Sequence, residues 1–533
     1  MTSGSRYPGE AEPGGRQDNP TGEAAEEALE MGRQQIRGSA VLLVGRILSL
    51  LLTTATQILI VRILTKADFG AFAYALVLGS AARTLLSLGQ GRLLSRFMSI
   101  YDEQRDYDRM FGAMFLAAGT IAVTSTVTLL ALFLFRDPLI GSVVADPGDV
   151  QVVLILAFLA PLEAFDQVFV SLFAVFSRAR AIFFRKYLFV PGLRLVVVLL
   201  LALIGADVVF LAIGYVVTQA IGMVVYVAML GRMLRERNLL QHLRLRQLAL
   251  PYRAVFAFSF PLITNELVFL SMNTGGVLLL GYFHSIEEIA NYRAVYPAAR
   301  LNHVIWMVFV TLFLPMAARM FARDDIEGLR RSYWHTAILV AVFTFPIFAL
   351  TGPLAPDVIV LLFGERYAES AVVLALLSTG YFVNVMLGFN AYILQVCGRI
   401  RFLVGVNVLV ILLNIGLGFL LVPQLAAGGV AVANCTTLVV QNLLNQHALR
   451  RSLGTAFIER RYVRSYLVIA TAAAVLWTFQ LALDPGLVVS LIAATMVSIA
   501  VLLANWGALE LAETFPELRR MSALHDWFRN RRG

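Results

Sequence analysis

Residues 75–89 read ALVLGSAARTLLSLG, an apolar helical stretch that carries one permanent cation, Arg83. In hydrocarbon an arginine costs roughly 2.5–3.5 kcal/mol on insertion scales, so it is expected to face water, a partner or a ligand. The rest of the chain decides whether the stretch lies in a membrane at all. Residues are 59% hydrophobic and 14% charged and the mean hydropathy is +0.77, whereas an ordinary soluble domain is about 25% charged. The composition is that of an all-α polytopic membrane protein.

Runs of about 20 apolar residues mark spanning helices. About fourteen are expected, near 38–63, 68–90, 111–135, 150–176, 187–205, 208–230, 254–281, 290–317, 335–362, 369–396, 402–422, 428–448, 464–482 and 486–508. Arginines concentrate in alternate connections, at 92–109, 178–186, 232–253, 319–331, 399–401 and 450–464, while the opposite connections hold Arg62, Lys66, Arg136, Arg293 and Arg366. The positive-inside rule makes the basic loops cytoplasmic and puts both termini on that side. The net charge of +9 therefore reports topology, and no nucleic-acid partner is expected.

Residues 1–37, rich in Gly, Pro and Glu, are too polar to bury a core and are expected to form a disordered or loosely helical cytoplasmic tail. A faint internal repeat organises the remainder. Asp68 answers to Glu288, the RAR of 178–180 to the RIR of 399–401, and Gln219 to Gln441. A repeat of an even number of helices keeps its orientation, which implies two parallel-related bundles about an axis along the membrane normal. The expected division is an N-lobe at 38–232, a cytoplasmic linker at 233–253 and a C-lobe at 254–450. Two appended helices at 464–508 and a cytoplasmic tail at 509–533 follow.

Polar residues recur at helical spacing: Arg46, Ser49, Thr53 and Gln57 on the first helix; Ser80, Arg83, Ser87 and Gln90 on the second; Arg293, Tyr296, Arg300 and His303 on the eighth; the fifth adds Arg194. Arg46, Arg83 and Arg194 lie close enough to the cytoplasmic ends to snorkel to the headgroups, whereas Arg300 is nearer mid-membrane. The alternative is a shared cationic lumen formed by Arg46, Arg83, Arg194 and Arg300. Glu163 and Asp166 in the fourth helix, and Glu266 in the seventh with Ser259 and Asn273 to either side, are either counter-ions or ion-coupling sites. Cys397 and Cys435 lack metal-ligand spacing, and no nucleophile elbow, zinc pair or nucleotide loop occurs in a suitable context. Neither a metal, a cofactor nor enzymatic chemistry is expected.

Three blocks carry a family resemblance. VRILTKADFGAFAYALVLGSAARTLLSLGQG (61–91) has Arg-x-Leu, an acidic residue and Phe-Gly; FPLITNELVFLSMNTGGVLLLGYFHSIEEIANYRAVYPAARL (260–301) has an early proline, Leu-Gly-Tyr-Phe, acidic residues and a tyrosine. The third, LLFGERYAESAVVLALLSTGYFVN (361–384) through LQVCGRIRFLVGVNVLVILLNIGLGFLLVPQLAAGGVAVAN (394–434), is the most specific. Over about residues 38–450 the chain resembles bacterial polysaccharide-unit flippases, the oligosaccharide-flippase branch of the multidrug/oligosaccharidyl-lipid/polysaccharide exporter superfamily. The resemblance implies a bacterial inner-membrane protein with two six-helix lobes around a central cavity. It also implies transfer of undecaprenyl-pyrophosphate-linked oligosaccharide to the periplasmic face.

Many relatives carry an Asp near the end of the seventh helix; this chain has Asn273, Thr274, Gly275 and Gly276 there, so no role for that carboxylate carries over. Guanidinium suits pyrophosphate oxygens, and the sugar would meet Gln57, Asn273 and Tyr296 while the prenyl chain stays in lipid. Polysaccharide polymerase machinery is a candidate partner. The competing readings are a drug or cation antiporter of the same superfamily, and, in other classes, an integral membrane glycosyltransferase, polymerase or scaffold.

Overall fold

Each apolar run becomes a helix because local chemistry starts and stops it. Thr65 donates its hydroxyl to Asp68 Oδ2 at 2.6 Å and accepts from the Asp68 N–H at 3.1 Å, a capping arrangement that satisfies an otherwise orphaned helix donor. The carboxylates of Asp207 and Asp325 accept from Phe210 N–H and Gly328 N–H in the same manner. Gly205 and Gly454 end helices in the left-handed conformation.

The computed structural model describes residues 22–87, 90–134, 147–176, 179–242, 268, 270–483 and 485–509. Its first bundle comprises α1 (Gly22–Ile63), α2 (Lys66–Ser87), α3 (Gln90–Glu103), α4 (Tyr107–Leu134), α5 (Pro147–Ala157), α6 (Leu159–Val175), α7 (Val190–Ile204, entered through a π-helical turn at Phe183–Phe189) and α8 (Val208–Glu236). The second comprises α9 (Gly276–Phe283, preceded by a π-helical turn at Ser271–Gly275), α10 (Ile286–Arg300), α11 (Val304–Ala322), α12 (Ile326–Thr351), α13 (Ala355–Phe363), α14 (Ala371–Met386), α15 (Asn390–Val396) and α16 (Ile400–Leu453). Two further helices, α17 (Arg460–Leu483) and α18 (Leu487–Ala504), pack on α12.

The protein is all-α and polytopic. Among the described residues 11 helices are long and apolar enough to cross a membrane, or up to 12 if the bent pair Ile286–Thr311 and Phe313–Ala322 is one span. That is fewer than the fourteen or so expected, for two physical reasons. First, α16 is a hairpin: Ala426 (φ 47°, ψ −127°) breaks it just after Pro423, and side chains pair across the break, Asn414 with Asn434 at 2.9 Å and Gln441 with Asn407 at 3.4 Å. It supplies both the eleventh and twelfth expected spans. Second, most of the seventh, 254–281, lies outside the described residues.

Boundaries differ from expectation where charge misled. α1 begins at Gly22, inside the expected tail, and α8 reaches Glu236, inside the expected linker at 233–253. The basic connection at 92–109 is largely a helix, α3, and Arg180–Ile204 is continuous span although its first part reads as loop.

The bundles meet at one end. There α2 packs along α10, its counterpart in the repeat, so closely that a Cβ on Gly70 would lie 2.2 Å from the carbonyl oxygen of Ile286. Arg62, at the end of α1, donates Nε to Leu362 O at 2.9 Å and Nη2 to Leu361 O, both at the end of α13; Arg366 returns a bond to Val61 O at the end of α1. Each arginine thus satisfies helix C-terminal carbonyls of the other bundle. A single apolar core at this end draws on both bundles, from Ile60, Phe72 and Tyr215 to Val277, Tyr292 and Leu374. At the other end the cores are separate, one around Met110, Phe173 and Tyr226, the other around Trp334, Phe345 and Phe389. The molecule is closed at one end and divided at the other.

The α2–α10 contact makes a direct prediction. Gly70→Val should cost about 1–3 kcal/mol by overpacking, read as a lower unfolding midpoint in detergent. Gly119→Ala on α4, where nothing lies within 4 Å of the new Cβ, should leave the midpoint in place. Equal midpoints for both variants and the parent would contradict the close approach.

Candidate functional site

Helical spacing puts Ser80 and Arg83 on one face of α2, and Arg83 Nη2 donates to Ser80 Oγ at 3.4 Å. The same guanidinium lies 3.5 Å, by Nε, from Glu163 Oε2 on α6. Arg194 on α7 approaches the other oxygen, Nη2 to Oε1 at 3.7 Å, and also donates to Gln219 Oε1 of α8 at 3.3 Å. Its guanidinium lies 4.7 Å from the centre of the Tyr215 ring, a cation–π contact. One carboxylate therefore bridges two arginines from two helices, and all three side chains keep about a quarter of their surface exposed, at 24%, 29% and 25% for Arg83, Glu163 and Arg194.

One turn along α6 the chemistry repeats in buried form. Asp166 is ion-paired to Arg185, whose side chain is 2% exposed. Arg185 also donates Nε to Gly222 O at 3.1 Å and stands 4.3 Å over the Tyr226 ring. α8 can pass this close because residue 222 is glycine: a Cβ there would meet Arg185 Nε and Nη2 at 2.9 Å. Sequence reasoning assigned Arg185 and Lys186 to a cytoplasmic loop, whereas both stand on the span Arg180–Ile204. The usable signal was Asp166, a membrane carboxylate that needs a cation.

Arg46 is exposed on α1 and directs Nε to the Tyr187 hydroxyl at 3.4 Å. With Ser49 and Thr53 it lines a recess of about 290 Å³ whose far wall is Val304, Met307 and Val308 of α11. This stripe of the first bundle thus faces the second. Lys186 lies within electrostatic reach of Arg46, Arg83 and Arg185, which ties these cations into one field. Gln57 is half-buried further along α1.

The second bundle gathers a different group. Tyr296 donates its hydroxyl to Asn273 Oδ1 and accepts from Tyr381 at 3.3 Å, while Arg300, exposed, has its guanidinium 5.8 Å from the Tyr296 ring centre. His303 bonds Asn384 Oδ1 at 2.7 Å and stacks on Trp306 at 5.0 Å. Beneath them Asn414, Asn434 and Tyr292 are linked by side-chain hydrogen bonds of 2.9 and 2.8 Å. Of the expected residues, then, Arg83 and Arg194 share one partner, Arg46 stands on α1 against Tyr187, and Asn273, Tyr296 and Arg300 group in the other bundle. Glu266 lies outside the described residues. Among the described residues no cluster of His, Cys, Asp and Glu could hold a metal ion, and Cys397 and Cys435 are unpaired thiols.

Residues 59–372 match the family described as polysaccharide biosynthesis protein. Comparison with curated proteins returns no match. Among solved structures the fold is similar to the lipid II flippase MurJ in an inward closed conformation, at 11% identity and a TM-score of 0.63, covering 87% of this chain and 98% of that one. An inward-facing multidrug resistance MATE transporter of the MOP superfamily gives 14% identity and a TM-score of 0.61, covering 76% and 96%. A MOP superfamily transporter from Pyrococcus furiosus, described as having a binding pocket of reversed polarity, gives 16% and 0.53, covering 79% and 96%. At these identities the likeness is one of fold.

The inner pair is testable by itself. Asp166→Asn leaves a buried guanidinium without its anion and should cost about 3–5 kcal/mol, seen as loss of folded protein. Removing both charges, as Asp166→Asn with Arg185→Gln, should restore most of it. If the single variant were as stable as the parent, the pair would not be holding the bundle together.

Proposed function

The chain belongs to the polysaccharide biosynthesis protein family, and from that we propose that it moves undecaprenyl-pyrophosphate-linked oligosaccharide from the cytoplasmic to the periplasmic face of a bacterial inner membrane. One observation carries the reading: Arg83 and Arg194, on different helices of a membrane-spanning bundle, converge on a single partly exposed anion position. Two guanidiniums offer planar paired donors that match the oxygens of a diphosphate, through charge-assisted bonds stronger than neutral ones. Arg46 adds a third cation on the surface facing the other lobe. Snorkelling explains exposed, isolated cations, but it does not explain a carboxylate held between two of them.

The remaining parts follow from the substrate's chemistry. The sugar meets neutral polar and aromatic groups, Gln57 on one side and Asn273 and Tyr296 on the other, with Arg300 beside Tyr296 as a further cation. The prenyl chain stays in lipid between the lobes. The distribution of arginines supports cytoplasmic termini and makes the divided end cytoplasmic, the end from which a substrate assembled inside the cell must enter. The lobes, 38–232 and 254–450, then rock about the substrate, which requires the Arg62 and Arg366 clasp to open. No covalent step is needed, and the polymerase that uses the product is the natural partner. Asp166 can couple an ion only by giving up Arg185, so Glu266 is the better candidate for that role. A cation antiporter finds less support, because Glu163 is flanked by arginines that repel a cation.

Two experiments test this. In nanodiscs, Arg83→Ala and Arg194→Ala should each weaken binding of a polyprenyl diphosphate at least tenfold, with Arg83→Lys recovering only part because it lacks the planar fork. Parent-level binding and polysaccharide export by both Ala variants would remove the reading's support. For the closed end, Arg62→Ala with Arg366→Ala should let an impermeant thiol reagent added from the periplasm label a cysteine at Ala290, which is fully buried there. Unchanged protection would mean that the clasp does not hold this end shut.

A further inference from the structure

Glu163 is loosely held, and its surroundings explain why that matters. Its two oxygens stand 3.5 and 3.7 Å from Arg83 and Arg194, beyond good hydrogen-bond distance. Asp166, one turn away on the same helix, is in direct contact with Arg185. Both outer arginines keep Nε buried with no hydrogen-bond partner among the described residues. A guanidinium in such a place has donors to spare, and the single carboxylate offsets one of the pair's two charges without saturating their donors.

The backbone under Glu163 is also interrupted. α5 ends at Ala157, Phe158 closes a single turn onto Ile155 O at 3.2 Å, and α6 restarts at Leu159 with Pro161 in its first turns. Proline there frees a carbonyl and permits a bend. Glu163 therefore stands just past a local irregularity in the continuous span Val150–Val175, with about 29% of its side chain exposed. Arg185 lies within electrostatic reach of Glu163, and its Nη2 is buried with no hydrogen-bond partner among the described residues.

We propose that Glu163 is the resident anion of the diphosphate subsite, which the substrate's phosphates displace from Arg83 and Arg194 on binding and which returns to drive their release. The inference rests on the lipid-diphosphate reading above and adds a positioning and release role to it. Without a resident anion, two guanidiniums facing each other across a membrane-embedded site would repel one another and would hold a diphosphate too tightly to let it go. A monovalent carboxylate that touches each arginine weakly can be outcompeted by two phosphates. It can then compete in turn once the site opens to the opposite face. Displaced, it remains near Arg185 and is not stranded in hydrocarbon.

The sign of one mutational effect separates this from a purely structural role. Glu163→Gln removes the competing charge and keeps the shape. It should bind a polyprenyl diphosphate in phosphatidylcholine nanodiscs at least tenfold more tightly than the parent, while multiple-turnover transport in proteoliposomes falls at least tenfold. Glu163→Asp keeps the charge but cannot reach both arginines, and should shift both quantities in the same directions by less. If Glu163 merely positioned the arginines, Glu163→Gln would bind more weakly, and equal or weaker binding overturns the proposal. Failure of the parent and both variants to bind the probe overturns the lipid-diphosphate reading itself, and this inference with it. Binding by the parent without a gain in Glu163→Gln overturns this inference alone. Parent-like unfolding midpoints show that the variants are folded, as the partial exposure of all three side chains leads one to expect.

Discussion

A cation inside a membrane-spanning bundle needs an anion within reach, and α6 supplies two, one turn apart. The buried pair, Asp166 with Arg185, ties α6 to the start of the fifth span, and the bond from Arg185 to Gly222 O brings in α8. Three elements are thereby fixed around one charge, with Tyr226 closing the ring face. Only because that inner pair is tight can the outer one be slack. Glu163, Arg83 and Arg194 sit on helices whose relative positions are already set, so their separation of 3.5–3.7 Å is imposed by the scaffold and not chosen by the ions. A site that must accept and release an anion needs this arrangement, since ions free to approach would pair and stay paired.

The repeat shows how the two bundles have diverged around one plan. Gln219 and Gln441 are counterparts, and each bonds a side chain on the preceding span: Gln219 reaches Arg194, while Gln441 reaches Asn407. In the first bundle the position is cationic. In the second it is neutral: Gln441 bonds Asn407, and Asn414, Asn434 and Tyr292 form a further hydrogen-bonded set. Buried amides require complete pairing, and they are suited to hydroxyl-rich groups, whereas guanidiniums are suited to phosphates. The counterpart positions thus differ in charge, although the second bundle keeps cations of its own in Arg293 and Arg300 beside Tyr296.

The helical class, most spans and the hairpin in α16 were legible because they depend on local signals: run length, proline, and the acidic residue that follows a helix start. Asp68 and Glu288 illustrate this, each falling in the first turn of its helix. The members of the site were legible as residues, but not as a constellation. Counting basic residues by connection sent Arg185 and Lys186 to a loop, since the rule sees charge and not burial. Nor could spacing on separate helices reveal that Glu163 stands between Arg83 and Arg194 rather than beside one of them. The clasp left no trace at all, because its acceptors are main-chain carbonyls that every residue possesses.

That last point bears on how the molecule can move. An interface closed by salt bridges would carry its own specific partners and would pay for opening by exposing two charges. Here Arg62 and Arg366 donate to the carbonyls at the ends of α13 and α1, groups that water satisfies as readily as a guanidinium does. The apolar core shared by the two bundles at that end must part as well; along α2 and α10 a glycine lies against a backbone carbonyl, and Phe69, Phe72, Ile289 and Tyr292 are buried in the same core. A close approach of this kind holds membrane helices by packing, and the large side chains buried around it make that packing the main resistance to opening. The polar contacts of the closed end are thus replaceable by solvent, whereas its apolar core is not. Parting the bundles there therefore turns on separating a shared apolar core and not on breaking a specific ion pair.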